Sequence, residues 1–556
     1  MTDGPQRLDA LIIGAGFAGL YQLHLLRDRL GLNARVLEAG DGVGGTWHWN
    51  RYPGARCDTE SHAYCFTFSE ELHRSWSWSE RYPGQEEIRA YLNHAADFLD
   101  LRRDIALDAR VVSAVWDEAA RLWTVRTEAG EAFQARWLIT AVGCLSTANM
   151  PDIEGRESFA GETHHTGRWP HEGVDFAGKR VGQIGTGSTG IQSIPVIAKT
   201  AAHLTVFQRT ANYSVPARNG PLSEDFKAWA RGNLSEIREL TQSTPNGHPF
   251  RIRPDKVFDV SDEARLAAYE QAWEVGGLRF RGVFQDLVAD ETANATACDF
   301  LKAKIRQIVR DPATAEALSD IDHPYGGKRP PIDTNYFETF NRPNVTLVNL
   351  RDTPIERIAP EGVVTSGGLH ELDVLVFATG FDAMTGPLLS LGIEAGGRAL
   401  KDAWAEGPST YLGLQIPGFP NLLTITGPGS PSVLTNMPVA IEQHAEWIAD
   451  ALAALDAKGE TRIEASPEAA AAWGAHVQEA GAATLLPRVP HSWYLGANVP
   501  GKPRVFMPYA GGMTRYRAIC EAAAAESYAG FAVGEGAAPP PPSFLPAGHH
   551  PLAAAV

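Results

Sequence analysis

The sequence predicts an α/β protein with two dinucleotide-binding, Rossmann-like domains, one inserted into the other, and a mainly helical insertion. Three observations predict it. A buried strand, a glycine turn and an apolar-periodic helix occur in that order twice, in "LDALIIGAGFAGLYQLHLLR" from Leu8 and in "KRVGQIGTGSTGIQSIPVIA" from Lys179. Two further apolar strands end in glycine on either side of the second copy, "RWLITAVG" at 136–143 and "LDVLVFATGFD" at 372–382. Between 221 and 325, stretches such as "SEDFKAWARGNLSEIRELTQ" and "ATACDFLKAKIRQIVRD" carry helical periodicity with charged faces.

These signals divide the 556 residues as follows. The first domain is expected over 1–142 and again over 381–535. The second is expected over 143–215 and 328–380, interrupted by the helical insertion at 216–327. The end, "GEGAAPPPPSFLPAGHHPLAAAV", is rich in Pro, Ala and Gly, and 536–556 is expected to be a disordered tail.

In each glycine turn, small residues let the backbone approach a pyrophosphate whose charge sits at a helix N-terminus. The first turn is Gly14-x-Gly16-x-x-Gly19, with Phe17 inside it. The second is Gly185-x-Gly187-x-x-Gly190, with Thr186, Ser188 and Thr189 between the glycines. The residue about 20 positions onward separates the nucleotides. After the first turn it is Glu38, whose carboxylate accepts ribose hydroxyls and repels a 2′-phosphate. At the same separation after the second it is Arg209, followed by Thr210. A guanidinium grips a 2′-phosphate through charge-assisted bonds. The first site is therefore expected to take FAD or NAD and the second NADP(H), a pairing that points to hydride transfer from NADPH to FAD.

The bulk numbers narrow the acceptor and the partners. The net charge is −17, with 44% hydrophobic and 21% charged residues, which disfavours nucleic acid and fits a globular chain. The five cysteines include no C-x-x-C pair, so a disulfide framework, a metal site and a dithiol redox centre are not expected. Oxygen is then the acceptor of choice. The opening residues run into a strand without a signal-peptide pattern, and no apolar run approaches a membrane span. A cytoplasmic location, no membrane and no obligatory protein partner are expected.

Two further stretches fix the class. "GGTWHWNRYPGARCD" fills G-G-x-W-x-x-x-x-Y-P-G-x-x-x-D with Gly44, Gly45, Trp47, Tyr52, Pro53, Gly54 and Asp58; "FAGETHHTGRWP" fills F-x-G-x-x-x-H-x-x-x-W-P with Phe159, Gly161, His165, Trp169 and Pro170. Over residues 8–533 the sequence resembles the Baeyer–Villiger monooxygenases, the NADPH- and O2-dependent flavoenzymes that turn ketones into esters or lactones. The Trp169–Pro170 ending distinguishes it from the related N- and S-oxygenating flavin monooxygenases, which usually end that pattern in tyrosine; an uncoupled NADPH oxidase is the other alternative.

The resemblance implies FAD and NADPH as cofactors, a hydrophobic ketone as substrate, and reaction through a C4a-peroxyflavin. It implies that Arg329, in "GGKRPP", lies over the flavin as the catalytic arginine, paired with Asp58, while Lys328 joins Arg209 on the 2′-phosphate. It implies that Gly45, Thr46, Trp47, Tyr64, Val111 and Met437 complete the flavin set and that Trp493 helps hold the nicotinamide nucleotide. Ser432, Val433 and Leu434, in "GPGSPSVLTNM", are implied to line the substrate pocket. His165 is implied to link the domains rather than to act in bond making. A guanidinium suits the catalytic place because it stays charged beside a nucleophilic anion and does not donate its proton away.

Overall fold

The computed structural model describes residues 5–544. Its two main sheets are wound separately. In the first, the strand Gln6–Ile13 runs parallel between Ala34–Leu37 and Ala132–Thr140. Its first residues, Gln6 and Arg7, are exposed, and its end, Ala10–Ile13, is wholly apolar and buried, as expected of a strand covered on both faces. An antiparallel run, Val111–Asp117 and Leu122–Thr127, extends the sheet from the early half of Ala132–Thr140. The late half of that strand takes a different neighbour, Leu422–Thr424, from far along the chain.

The second sheet is wholly parallel, in the order Val345–Asn349, His203–Gln208, Arg180–Ile184, Val374–Phe377, Glu162–His165. The chain leaves the first sheet after Thr140, builds the second between 162 and 377, and returns when Ile393–Ala395 pairs with Val111–Asp117. The two strands that end in glycine thus belong to different sheets, one at each crossing.

Within the second sheet, the segment between His203–Gln208 and Val345–Asn349 is mainly helical: Glu224–Gly232, Leu234–Ser243, Asp262–Val275, Glu291–Ile308 and Pro312–Ser319. Its starts are set by side-chain caps. Ser223, Ser261, Asp290 and Asp311 accept the N–H groups of Phe226, Ala264, Ala293 and Thr314, which satisfies donors that a helix start leaves open. The aromatic face made by Tyr269, Phe280 and Phe300 is buried in the same core as the second sheet.

The expectation for the tail needs correction. Residues 536–544 lie against the first domain: Gly530 N–H donates to the Pro539 carbonyl at 2.8 Å, Pro542 is buried, and the Phe544 ring sits 5.3 Å from Trp473 and 5.2 Å from His476. A proline run has little backbone freedom to lose on docking, and Phe544 supplies the apolar anchor. Residues 545–556 of that expectation lie outside the described residues. Among the described residues, no helix is long and apolar enough to cross a membrane.

The turns explain their glycines. A Cβ on Gly19 would stand 1.8 Å from the Gly14 carbonyl oxygen, and one on Gly190 would stand 2.3 Å from that of Gly185. A Cβ on Gly187 would meet nothing within 4 Å, so its side is open to a ligand. Gly19→Ala is therefore expected to break the first turn, and the protein should purify without flavin colour. Gly187→Ala should keep its flavin and its thermal stability yet weaken NADPH binding about tenfold or more in a titration, because only the pyrophosphate approach is obstructed.

Candidate active site

Each glycine turn delivers a helix whose N-terminus is left free. Phe17–His24 and Ser188–Ile197 start at Gly16 and Gly187, with no side-chain cap and no acid in the first turn. Their N–H groups and positive dipole ends are open to an anion. Glu38 ends the neighbouring strand, buried, with its two carboxylate oxygens accepting from Ala15 N–H (2.7 Å) and Gly40 N–H (2.8 Å). Burial raises its pKa and those bonds oppose the rise, with a net upward shift. Each oxygen keeps acceptor capacity for a ribose hydroxyl. Val111 follows closely on Ala109, whose N–H binds the Glu38 carbonyl.

Gly45 packs on Gly16, where a Cβ on Gly16 would come 3.3 Å from the Gly45 Cα. Gly45 has φ 53° and opens the short helix Thr46–Trp49. That helix presents Trp47, whose Nε1 donates to Tyr64 Oη at 3.1 Å. Phe17 meets the Tyr64 ring edge-on at 5.4 Å. Gly16, Phe17, Gly45, Trp47 and Tyr64 are thus contiguous, whereas Val111 belongs to a separate core cluster. Met437 packs with both the first-domain core and the cluster holding Val433, Leu434, Tyr494 and Trp493.

At the second turn, the Thr186 hydroxyl donates to the Thr210 carbonyl at 3.0 Å, which ties the turn to the Arg209 loop. Arg209 is exposed and Lys328 half-buried; neither forms an ion pair among the described residues. Burial lowers the Lys328 pKa, Asp322 opposes this, and Arg209 and Arg351 add to the lowering. Two cations that repel one another and form no ion pair among the described residues make a ready anion site.

Arg329 sits on the loop between the helix Pro312–Ser319 and the strand Ile332–Asp333, where the chain leaves the helical insertion. Its Nε and Nη2 donate to Asp58 Oδ2 and Oδ1 at 2.6 and 2.8 Å, and its Nη1 donates to the Val433 carbonyl at 2.7 Å. Asp58 lies 271 residues away in sequence, on the loop that carries the first fingerprint, and does not cap a helix. Burial works against both charges, but the partner's charge and hydrogen bonds outweigh it. The Asp58 pKa falls below the usual carboxylate range and that of Arg329 rises. The fork-on-carboxylate geometry fixes the guanidinium plane.

Ser432, Val433 and Leu434 form one tight turn, with Ser432 at φ 38°, which aims the Val433 carbonyl at Arg329. The sequence did not single out Tyr494 or His248, which face the same charges. Burial, chiefly, pushes Tyr494 up to about 12, with Arg329 opposing; burial and then Arg329 push His248 down to about 3. Only adjacency to Trp493, 4.4 Å from the Tyr494 ring, could have flagged the tyrosine.

The second fingerprint lies on the edge strand Glu162–His165 of the second sheet. His165 Nδ1 accepts from Gly167 N–H at 3.0 Å, its Nε2 lies 3.3 Å from Thr379 Oγ1, and Thr379 donates to the Asn149 carbonyl at 2.7 Å. A Cβ on Gly161 would stand 2.4 Å from the Asp373 carbonyl oxygen. Phe159 packs on the second-sheet core and Trp169 is buried beside Phe176, with Pro170 closing the turn. These residues bind the two chain crossings together and none touches the Arg329–Asp58 pair.

All five cysteines are free, and Cys57 and Cys65 are buried thiols whose pKa burial raises. Among the described residues one group has metal-ligand spacing, Asp41, His48 and His171. Arg51 Nη2 lies 3.4 Å from His48 Nδ1, which disfavours a dication there.

Buried histidines set the acid limit. Burial, chiefly, holds His165 at about 4 and His248 and His444 at about 3, below the ordinary 6.5. The unfolded chain therefore binds more protons in that window, and stability is lost as pH falls through it. Glu442, raised to about 7, and Asp333, raised to about 6, both chiefly by burial, act in the opposite sense. The histidines also include His62 and His323, both held at about 4, and outnumber the acids. Tm should fall as pH is lowered from about 6.5 to 4; a Tm that rises across that window would contradict this balance.

The fold and site define a protein built to hold two dinucleotides, with Arg329 fixed by Asp58 and the Val433 carbonyl. The described residues fit both: free helix N-termini, an acid at the first ribose position and an unpaired cation couple at the second. Residues 12–77 match an NAD(P)-binding Rossmann-like domain. The chain is 44% identical over 530 residues to the acetone monooxygenase (methyl acetate-forming) of Gordonia, covering 95% of this chain and 99% of that one. It is 43% identical over 527 residues to the phenazine N-monooxygenase of Lysobacter antibioticus, covering 94% and 96%. A solved oxidised steroid monooxygenase bound to NADP superposes with a TM-score of 0.91 at 52% identity, covering 96% of this chain and 100% of that one. The chain belongs to the Baeyer–Villiger monooxygenases.

Proposed function

We propose that this protein is an FAD-containing monooxygenase that uses NADPH and O2 to insert one oxygen atom beside a ketone carbonyl. The balance is ketone + O2 + NADPH + H+ giving ester or lactone + NADP+ + H2O. The observation that carries the reading is the Arg329 guanidinium, held bidentately by Asp58 and by the Val433 carbonyl, in a chain with two nucleotide turns of opposite ribose chemistry. Bound FAD, reduced by NADPH, supplies the activated oxygen.

The chain's own residues do the rest. Gly14, Gly16 and Gly19 admit the flavin nucleotide's pyrophosphate, Glu38 takes its ribose, and Phe17, Trp47, Tyr64 and Met437 wall the ring end. Gly185, Gly187 and Gly190, with Thr186, Ser188 and Thr189, seat the second pyrophosphate. Arg209 and Lys328 select the 2′-phosphate, and Trp493 covers the nicotinamide end. Arg329 holds a permanent positive charge where negative charge develops on the carbonyl oxygen. Asp58 keeps it oriented; Arg329 remains charged because Asp58 compensates it. Ser432, Val433 and Leu434 line the ketone's side, which excludes water. Five free cysteines suit a reducing cytoplasm.

Aerobic turnover with NADPH against a panel of ketones, sulfides and tertiary amines tests the reading. An ester or lactone one oxygen heavier than its ketone, formed faster than any sulfoxide or N-oxide, is expected. N-oxide or sulfoxide products with no ester would move the protein to heteroatom oxygenation, as named for the phenazine relative. NADPH loss with hydrogen peroxide alone across the panel would leave only an oxidase.

A further inference from the structure

Besides Arg209 and Lys328, Arg281 is a cation near the site that forms no ion pair among the described residues. Arg281 lies on the single-turn segment Gly277–Gly282 of the helical insertion. Its Nε is buried and has no hydrogen-bond partner, and it forms no ion pair among the described residues. Arg279 on the same segment is a contrast, since its Nε and Nη2 reach the Glu60 carboxylate at 3.1 Å.

Arg281 forms part of the wall of a small cavity, together with Pro431, Leu434, Thr435, Leu486 and Tyr509. The lining contains this one cation and no carboxylate. Leu434 belongs to the turn whose Val433 carbonyl holds Arg329, so the cavity adjoins the ketone's side of the site. Burial, chiefly, lowers the Arg281 pKa; Tyr494 and Tyr325 oppose the lowering, and Arg329 adds to it. Asp58 balances Arg329, whereas among the described residues no carboxylate pairs with Arg281. An uncompensated cation in a largely apolar chamber is unfavourable unless a ligand brings the counter-charge. The nucleotide phosphates have their own places at the glycine turns and at Arg209 and Lys328, on other elements.

We propose that Arg281 binds a carboxylate carried by the ketone substrate, so that the enzyme is selective for keto acids. This rests on the reaction proposed above. The guanidinium fork matches a carboxylate bidentately, and the apolar wall takes the carbon frame between carboxylate and carbonyl.

The test uses the FAD-loaded enzyme and three probes, (2-oxocyclohexyl)acetate, 3-(2-oxocyclohexyl)propanoate and 4-(2-oxocyclohexyl)butanoate, each beside its methyl ester. For the best-fitting length, kcat/KM should favour the acid over its ester by about tenfold or more, through KM. Arg281→Met should bring that ratio to about one, and Arg281→Lys should restore part of it. Calorimetric Kd values for the same pairs on the oxidised enzyme with NADP+ should show the same ratio, which reads the carboxylate without turnover. Lactone from the esters with no acid preference at any length, or a ratio that Arg281→Met leaves unchanged, would overturn the inference and leave the reaction standing. Acids that bind tighter in an Arg281-dependent way but yield no lactone would uphold the carboxylate site and overturn the reaction.

Discussion

Arg329→Ala is expected to give a protein that still binds FAD and is still bleached by NADPH but forms about a thousandfold less ester, or less still. Removal of a single neutral donor at a developing oxyanion costs about 10²–10³ in rate. Arg329 supplies a full charge in a largely buried place, so its loss should lie at or beyond the upper end. The variant's flavin wall and glycine turns are untouched, because Arg329 donates only to Asp58 and the Val433 carbonyl. NADPH should then be consumed with release of hydrogen peroxide. Asp58→Asn is the companion. It removes the compensating charge while keeping the shape, so ester formation should fall less, by about tenfold to a hundredfold, through loss of orientation. Normal ester yield from Arg329→Ala, with coupling intact, would remove Arg329 from the mechanism.

Arg209→Ala is expected to raise KM for NADPH by about a hundredfold and to change KM for NADH by less than about threefold. A charge-assisted bond to a phosphate contributes about 1.5–3 kcal/mol, which corresponds to about ten- to a hundredfold, and Arg209 is one of two unpaired cations at this place. Lys328→Ala should act in the same direction. Because Arg209 lowers the Lys328 pKa, the remaining lysine of Arg209→Ala holds its proton more firmly and keeps part of the NADPH preference. The double variant should erase it, so that steady-state kinetics with both nucleotides separate the two contributions. An equal effect of Arg209→Ala on NADPH and NADH would undo the assignment.

The elements legible in the sequence are those with local causes. The strand Gln6–Ile13, the turn that opens at Gly14 and the helix that follows Gly185 arise from apolar runs and from backbone, φ 104° and 111° at those glycines, that favours glycine. The helical insertion declares its starts through Ser223, Ser261, Asp290 and Asp311. The sequence-level contrast of Glu38 with Arg209 needed only equal spacing from each third glycine. What the sequence hid depends on distant partners. The bond from Arg329 to Asp58 joins loops 271 residues apart, and only the family resemblance pointed to that pair. Tyr494, His248 and Arg281 carry no motif; their meaning lies in facing, or lacking, a charge from another element. The docking of residues 536–544 was missed because composition speaks for the proline run, whereas a single Phe544 finding Trp473 and His476 decides its place.

The most direct test of the reaction itself is turnover of the wild-type enzyme with NADPH and cyclohexanone under oxygen-18 gas, with the lactone analysed by mass spectrometry. Lactone carrying one oxygen-18 atom in the ring position is the predicted result, since the inserted atom comes from O2 and the carbonyl oxygen from the ketone. Unlabelled lactone, or sustained NADPH consumption with no lactone from this or any other ketone, would contradict the account.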